Sequence, residues 1–197
     1  MKYLQNAAPF KGIEFVFLDR DGVINRKAPE SQYIWLWKQF HLLPKVGDAI
    51  AALNRSGIRV IVVTNQRGVS LDLYTLAEVE NLHTRLQQEL ALRGAHIDAF
   101  YVCPHGFGEC NCRKPNTGLL DRAFRDFPSA NKLNSLLIGD SLSDVELARN
   151  FDIPSILIQG EIGQSHQDAS EAEEGPPLVS GSLFDAVNDF LLPGKPG

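Results

Sequence analysis

Residues 13–23 read Ile13-Glu14-Phe15-Val16-Phe17-Leu18-Asp19-Arg20-Asp21-Gly22-Val23, a nearly continuous apolar run that ends in two carboxylates two residues apart. A run this short and this bulky reads as a strand buried on both faces. The type recurs at Ile58 to Val63, Ile97 to Val102, Ser135 to Ile138 and Ser155 to Ile158. Helical patterns lie between these runs. Val46 to Ser56 is closed by Gly57 and Thr75 to Arg93 by Gly94, glycines that suit a left-handed cap. In the longer helix Leu76, Val79, Leu82, Leu86 and Leu90 recur at three- and four-residue steps, and Thr75 with Glu78 forms a capping-box pattern. Leu119 to Phe127 and Leu142 to Phe151 supply further helices, the second with Ser141 and Ser143 as candidate caps. The alternation predicts an α/β fold, a Rossmann-like three-layer sandwich around a mostly parallel central sheet.

The chain has 197 residues, 44% of them hydrophobic and 22% charged, which suits a single domain with a core over about 13–160. From Glu161 to Gly181 it is rich in Gly, Pro, Ser, Glu and Asp and reads as an exposed, mobile loop, before a terminal helix over 183–192. A formal net charge of −5 argues against nucleic acid or anionic membrane as partner, because both need basic surface. A small molecule is the expected partner; an anionic one must rely on local cations such as Arg67, Arg113 and Lys114 and on a bound metal. Oligomeric state is left open. Met1 to Lys11 has no apolar stretch long enough for a signal peptide, and no run approaches the roughly 18 apolar residues of a membrane span. The 3 cysteines all fall between Cys103 and Cys112, where a disulfide framework would spread its pairs along the chain. A metal site in a reducing, cytoplasmic compartment fits better. His83 reads as partly buried or solvated and is given no chemistry, while Trp35, Trp37 and Phe40 read as core or as part of a flap.

In open α/β sheets, ligands collect outside the carboxyl ends of the strands. Asp19-Arg20-Asp21-Gly22 leaves the first strand there, although such a motif alone is also an ordinary polar turn. Thr64-Asn65-Gln66 ends the second strand and brings a hydroxyl and two amides, which suit a phosphate cradle. Arg113-Lys114-Pro115 offers two cations beside a rigid proline, and Ile138-Gly139-Asp140-Ser141-Leu142-Ser143-Asp144 leads a further strand into an acidic turn. Cys103-Pro104-His105, four residues, then Cys110-Asn111-Cys112 provide three thiolates and one imidazole, a set suited to a closed tetrahedral zinc site. A redox-active pair or a chance cluster of buried cysteines are the other readings of that loop.

Together, in this order, the four strand-end segments resemble the motifs of the haloacid dehalogenase superfamily over roughly Phe15 to Ile158. The resemblance implies a phosphatase with Asp19 as nucleophile and Asp21 as general acid and base, and with Thr64 and Lys114 holding the phosphoryl group. It also implies Mg2+ held by Asp19, Asp140 and the backbone carbonyl of Asp21, with Asp144 supporting the site from behind. For Asp21 to act as an acid near neutral pH its pKa must be raised, by burial and by Asp19.

The Cys-x-His, Cys-x-Cys-Arg-Lys-Pro arrangement is similar to the branch that contains heptose bisphosphate and histidinol-phosphate phosphatases. That likeness implies structural Zn2+ on Cys103, His105, Cys110 and Cys112, and no large cap domain, so that Asn25 to Leu43 and the small zinc loop alone cover the site. It implies that Arg113 recognises substrate and that Lys27 to Glu30 and Thr64 to Arg67, Asn65 included, line the pocket. Asp19-Arg20-Asp21-Gly22-Val23 with Thr64-Asn65-Gln66 favours the heptose bisphosphate. The four-residue spacing between His105 and Cys110 favours histidinol phosphate or another small ester, and Lys27 to Phe40 is more aromatic than the heptose pattern. A phosphate sensor on a silent scaffold and phosphotransfer to an acceptor other than water are the remaining alternatives.

Overall fold

The computed structural model describes residues 10–159 and 178–193. All four side chains of β1, Phe15–Leu18, are buried, as a strand covered on both faces requires. The remaining strands among the described residues are β2 (Arg59–Asn65), β3 (Ala99–Cys103), β4 (Ser135–Gly139), β5 (Ser155–Ile158) and β6 (Leu178–Ser180). They form one sheet in the order β3-β2-β1-β4-β5-β6, and every neighbouring pair is parallel.

Alternation along the strands divides the core. Val16, Leu18, Val60, Val62, Leu136 and Ile138 face one side, with α1 (Val46–Arg55), α2 (Leu76–Ala91) and α5 (Leu183–Ala186). Phe15, Phe17, Ile61, Val63 and Leu137 face the other, with α3 (Gly118–Asp126) and α4 (Leu142–Phe151). The result is the expected three-layer sandwich. The Thr75 hydroxyl accepts the Glu78 N–H while the Glu78 carboxylate accepts the Thr75 N–H, so the capping box of α2 forms. Gly57 and Gly94 take φ of +76° and +67° after their helices.

Two readings of the sequence need correction. Leu178–Ser180, inside the stretch read as a loop over 161–181, is the edge strand β6, paired with β5; residues 160–177 lie outside the described residues. His83, read as partly buried or solvated, is buried, and its ring stacks on Phe100 at 4.3 Å. A π-helical turn, Val187–Leu191, continues α5. Among the described residues no helix is long and apolar enough to cross a membrane.

Candidate active site

The central strands β1 and β4 lie side by side with Leu18 opposite Ile138, so Asp19 and Asp140 leave the sheet together. One oxygen from each of Asp19, Asp140 and Asp144 lies within 4.8 Å of the others. Lys114 joins two of them. Its Nζ lies 2.8 Å from Asp19 Oδ1 and 2.7 Å from Asp144 Oδ1, and donates to the Val63 carbonyl at 3.2 Å. Burial disfavours the ammonium, but Asp144 and Asp19 outweigh it and push its pKa up. Asp144 itself is fully buried and caps α4, where its Oδ2 accepts from the N–H and hydroxyl of Ser141. It therefore braces the lysine from behind.

Two glycines make this approach possible. A Cβ at Gly22 would lie 2.2 Å from Asp140 Oδ2, and one at Gly139 would lie 2.2 Å from the Asp144 Cβ. Asp140 Oδ2 meets Lys27 Nζ at 2.7 Å, while its Oδ1 is buried without a hydrogen-bond partner among the described residues. Burial raises the pKa of Asp140 despite Lys27. Burial also raises Asp19, to about 7, with Asp144 and Asp140 adding to the effect and Lys114 opposing it. Clustered oxygens, an orphan carboxylate atom and carboxyls short of positive charge are what a hard divalent cation satisfies.

Asp21 departs from expectation. Its carboxylate is not part of the cluster formed by Asp19, Asp140 and Asp144. Arg20 donates to both of its oxygens at 3.0 and 2.8 Å, Asn25 Nδ2 to Oδ1 at 2.8 Å and Gln66 Nε2 to Oδ2 at 3.0 Å. Burial pushes its pKa up, but Arg20, Asn25 and Gln66 outweigh burial and hold it below its ordinary value, the reverse of the raised pKa inferred from sequence. Arg20 is completely buried, with its second contact to the Ile34 carbonyl at 2.9 Å and its guanidinium 5.9 Å from the Phe40 ring centroid. Strand parity was the available signal: Arg20 continues the alternation of Val16 and Leu18 and lands on their face.

The Thr64-Asn65-Gln66 segment also divides its labour. Thr64 is buried and its hydroxyl accepts from Gln66 Nε2 at 2.9 Å, while Tyr74 donates to Gln66 Oε1 at 3.0 Å. Asn65 faces the backbone of Lys114, accepting its N–H at 3.1 Å and donating to its carbonyl at 3.2 Å. The amides therefore position Asp21 and Lys114, a role the sequence reading assigned to a phosphate cradle. Trp35 stacks on Tyr74 at 5.8 Å and Tyr33 meets it edge-on at 6.0 Å, so Asn25 to Leu43 reaches this network. Trp37 instead stacks on Phe40 at 5.5 Å against the core.

Beyond β3, ligand atoms of Cys103, His105, Cys110 and Cys112 all lie within 4.8 Å of one another. The thiols are free, with sulfur atoms 3.2 to 3.6 Å apart. Three sulfurs and an imidazole are the donor set of a closed, soft-metal site. Arg113 and Lys114 follow this cluster directly, so the loop sets where the cations begin.

A family model described as HAD-hydrolase-like matches residues 111–186. With a parallel six-stranded sheet and carboxylates at the ends of its central strands, the chain belongs to the haloacid dehalogenase-like hydrolases. It is 45% identical to the D-glycero-alpha-D-manno-heptose-1,7-bisphosphate 7-phosphatase of Mycobacterium bovis, over 68% of this chain and 71% of that one. It is 36% identical to the corresponding beta-heptose enzyme of Pseudomonas aeruginosa, over 90% and 97% of the two chains. The crystal structure of a D,D-heptose 1,7-bisphosphate phosphatase from B. bronchiseptica, complexed with magnesium and phosphate, superposes with a TM-score of 0.80 at 26% identity. It covers 91% of this chain and 98% of that one.

Proposed function

We propose that this phosphatase removes the 7-phosphate of D-glycero-D-manno-heptose 1,7-bisphosphate through an aspartyl-phosphate formed on Asp19. The observation that carries the reading is Lys114 Nζ, held between Asp19 and Asp144 at 2.8 and 2.7 Å beside Asp140. A cation fixed against the nucleophile is where an incoming phosphoryl group needs one. Magnesium fits the oxygen cluster of Asp19 and Asp140, with the Asp21 carbonyl as a further ligand; when bound it supplies charge that keeps the carboxylates ionised and offsets the phosphate.

Asp19 attacks phosphorus with a carboxylate oxygen, and the ester oxygen leaves with a proton from Asp21. Arg20, Asn25 and Gln66 favour ionised Asp21 in the geometry described, and the negative charge of an arriving phosphate raises its affinity for that proton. In the second half-reaction Asp21, now a carboxylate, takes a proton from the water that opens the acyl phosphate. Thr64 and Lys114 hold the phosphoryl oxygens, Arg67 and Arg113 meet the rest of the substrate, and Asn65 keeps Lys114 in place. Cys103, His105, Cys110 and Cys112 hold zinc, which fixes the loop that presents Arg113 and Lys114. Free thiols suit a reducing, cytoplasmic setting.

The sugar is preferred to histidinol phosphate because the relatives named above are heptose bisphosphate phosphatases. Comparing kcat/KM for heptose 1,7-bisphosphate and histidinol phosphate, with magnesium present, tests this. A preference of at least about tenfold for the sugar is expected; a preference for the amino alcohol overturns the substrate reading.

A further inference from the structure

Between His105 and Cys110 the chain turns back on itself. Glu109 accepts the Gly106 N–H at 2.6 Å, and Gly108 takes φ +74°, in the left-handed region that suits glycine. Phe107 stands on this turn, 70% exposed. A ring so exposed gains little from burial, and its neighbours suggest what else it does.

The Arg113 guanidinium lies 4.3 Å from the Phe107 ring centroid and the Arg67 guanidinium lies 4.7 Å from it. One arginine follows β2 and the other follows the thiol cluster, so a single ring collects cations from separate parts of the chain. Like charges repel, and the ring face offsets part of that cost. Among the described residues neither arginine forms an ion pair with a carboxylate. Both Nε atoms are buried with no hydrogen-bond partner there. Arg113 Nη1 donates to the His105 carbonyl at 3.4 Å, and two guanidiniums against one ring without an acidic partner suit an anion with several oxygens.

The geometry points to Phe107 as a specificity-determining positioning residue, whose ring holds Arg67 and Arg113 as a joint cradle for a second phosphate remote from the one Asp19 attacks. This rests on the bisphosphate reading above and adds to it a loop residue that selects bisphosphate over monophosphate. Stacking limits the rotamers of both arginines, so less freedom is lost when the anion arrives. The turn begins at His105 and ends at Cys110, so the thiol cluster sets where the ring stands.

The test measures dissociation constants by calorimetry in an Asp19→Asn background, with magnesium, for heptose 1,7-bisphosphate and for heptose 7-phosphate. Phe107→Ala should weaken the bisphosphate by about tenfold and the 7-phosphate by less than about twofold. Phe107→Tyr, which keeps the ring, should restore the bisphosphate, a rescue that loss of folding could not produce. Equal weakening of both ligands, no weakening, or a parent protein with no preference for the bisphosphate each overturns the proposal. Phosphate release by the unmodified chain is measured alongside. Its failure sinks the reading of the reaction, whereas the binding difference speaks to Phe107 alone.

Discussion

The carboxylate centre and the thiol loop are both suited to a metal ion, yet they are assembled in opposite ways. The first gathers Asp19 and Asp140 from the ends of the neighbouring strands β1 and β4, Asp144 from the first turn of α4 and Lys114 from the loop before α3. Its charges are partly matched before any metal arrives, with Lys114 between Asp19 and Asp144 and Lys27 on Asp140, two cations for three carboxylates. The second lies within Cys103 to Cys112, and its ligand atoms chiefly face one another. The first site is thus preorganised by ion pairs across the fold, while the donors of the second have chiefly one another as partners, the arrangement that a bound ion would stabilise most. They are also linked in series, since the loop delivers Lys114 to the carboxylates.

The sharpest break in that contrast is chemical. Asp19→Asn should lower kcat by about a thousandfold or more while leaving the circular dichroism spectrum unchanged. Near-normal turnover would remove Asp19 as the nucleophile.

Lys114→Met, similar in bulk but uncharged, leaves Asp19 and Asp144 buried without their shared cation. Urea unfolding should show a loss of about 3–5 kcal/mol together with loss of activity. A variant as stable as the parent would mean that the fold does not depend on this charge matching.

Cys110→Ser opens the thiol set, and atomic absorption should find bound zinc falling well below one equivalent. Thermal melting should drop by several degrees, with kcat falling less than in Asp19→Asn. Equal losses in the two variants would erase the distinction between the sites.

The mildest effect concerns His83, which lies 3.5 Å from Arg20, the partner of Asp21. Burial, aided by Arg20, lowers its pKa to about 3 from an ordinary 6.5. The unfolded chain then takes up a proton that the folded one refuses, so the contribution is full above pH 6.5 and is lost as pH falls toward 3. Its slope is at most about 1.4 kcal/mol per pH unit. His83→Asn should flatten the difference in stability measured by denaturant titration at pH 7 and pH 5; an unchanged difference would show that this ring does not set acid sensitivity.

The strands β1, β2, β4 and β5 were legible because a strand covered on both faces leaves an unbroken apolar run, and the glycines after α1 and α2 marked where those helices stop. Edge strand β6 left no such mark: it has three residues, and Leu178 and Val179 are exposed. In the active site, spacing was enough to bring Asp19, Asp140, Asp144 and Lys114 together. It was not enough to give the charge state of Asp21, which depends on Arg20, Asn25 and Gln66 meeting it through the tertiary fold. Phe107 was invisible for the same reason, since the ring gains meaning only from two arginines that approach it in space.

Gly22 and Gly139 have a consequence for how a mutational scan of this protein must be read. Neither has a functional group, yet each occupies the space beside a carboxylate of the cluster, and Gly22 also has φ +93°. Every replacement at either position adds atoms where Asp140 or Asp144 already stands. A saturation library scored by activity would rank both glycines with the chemical residues. Counting intolerant positions would thus overstate the number of reacting groups, and part of what looks like chemistry in such a map would be empty volume kept free.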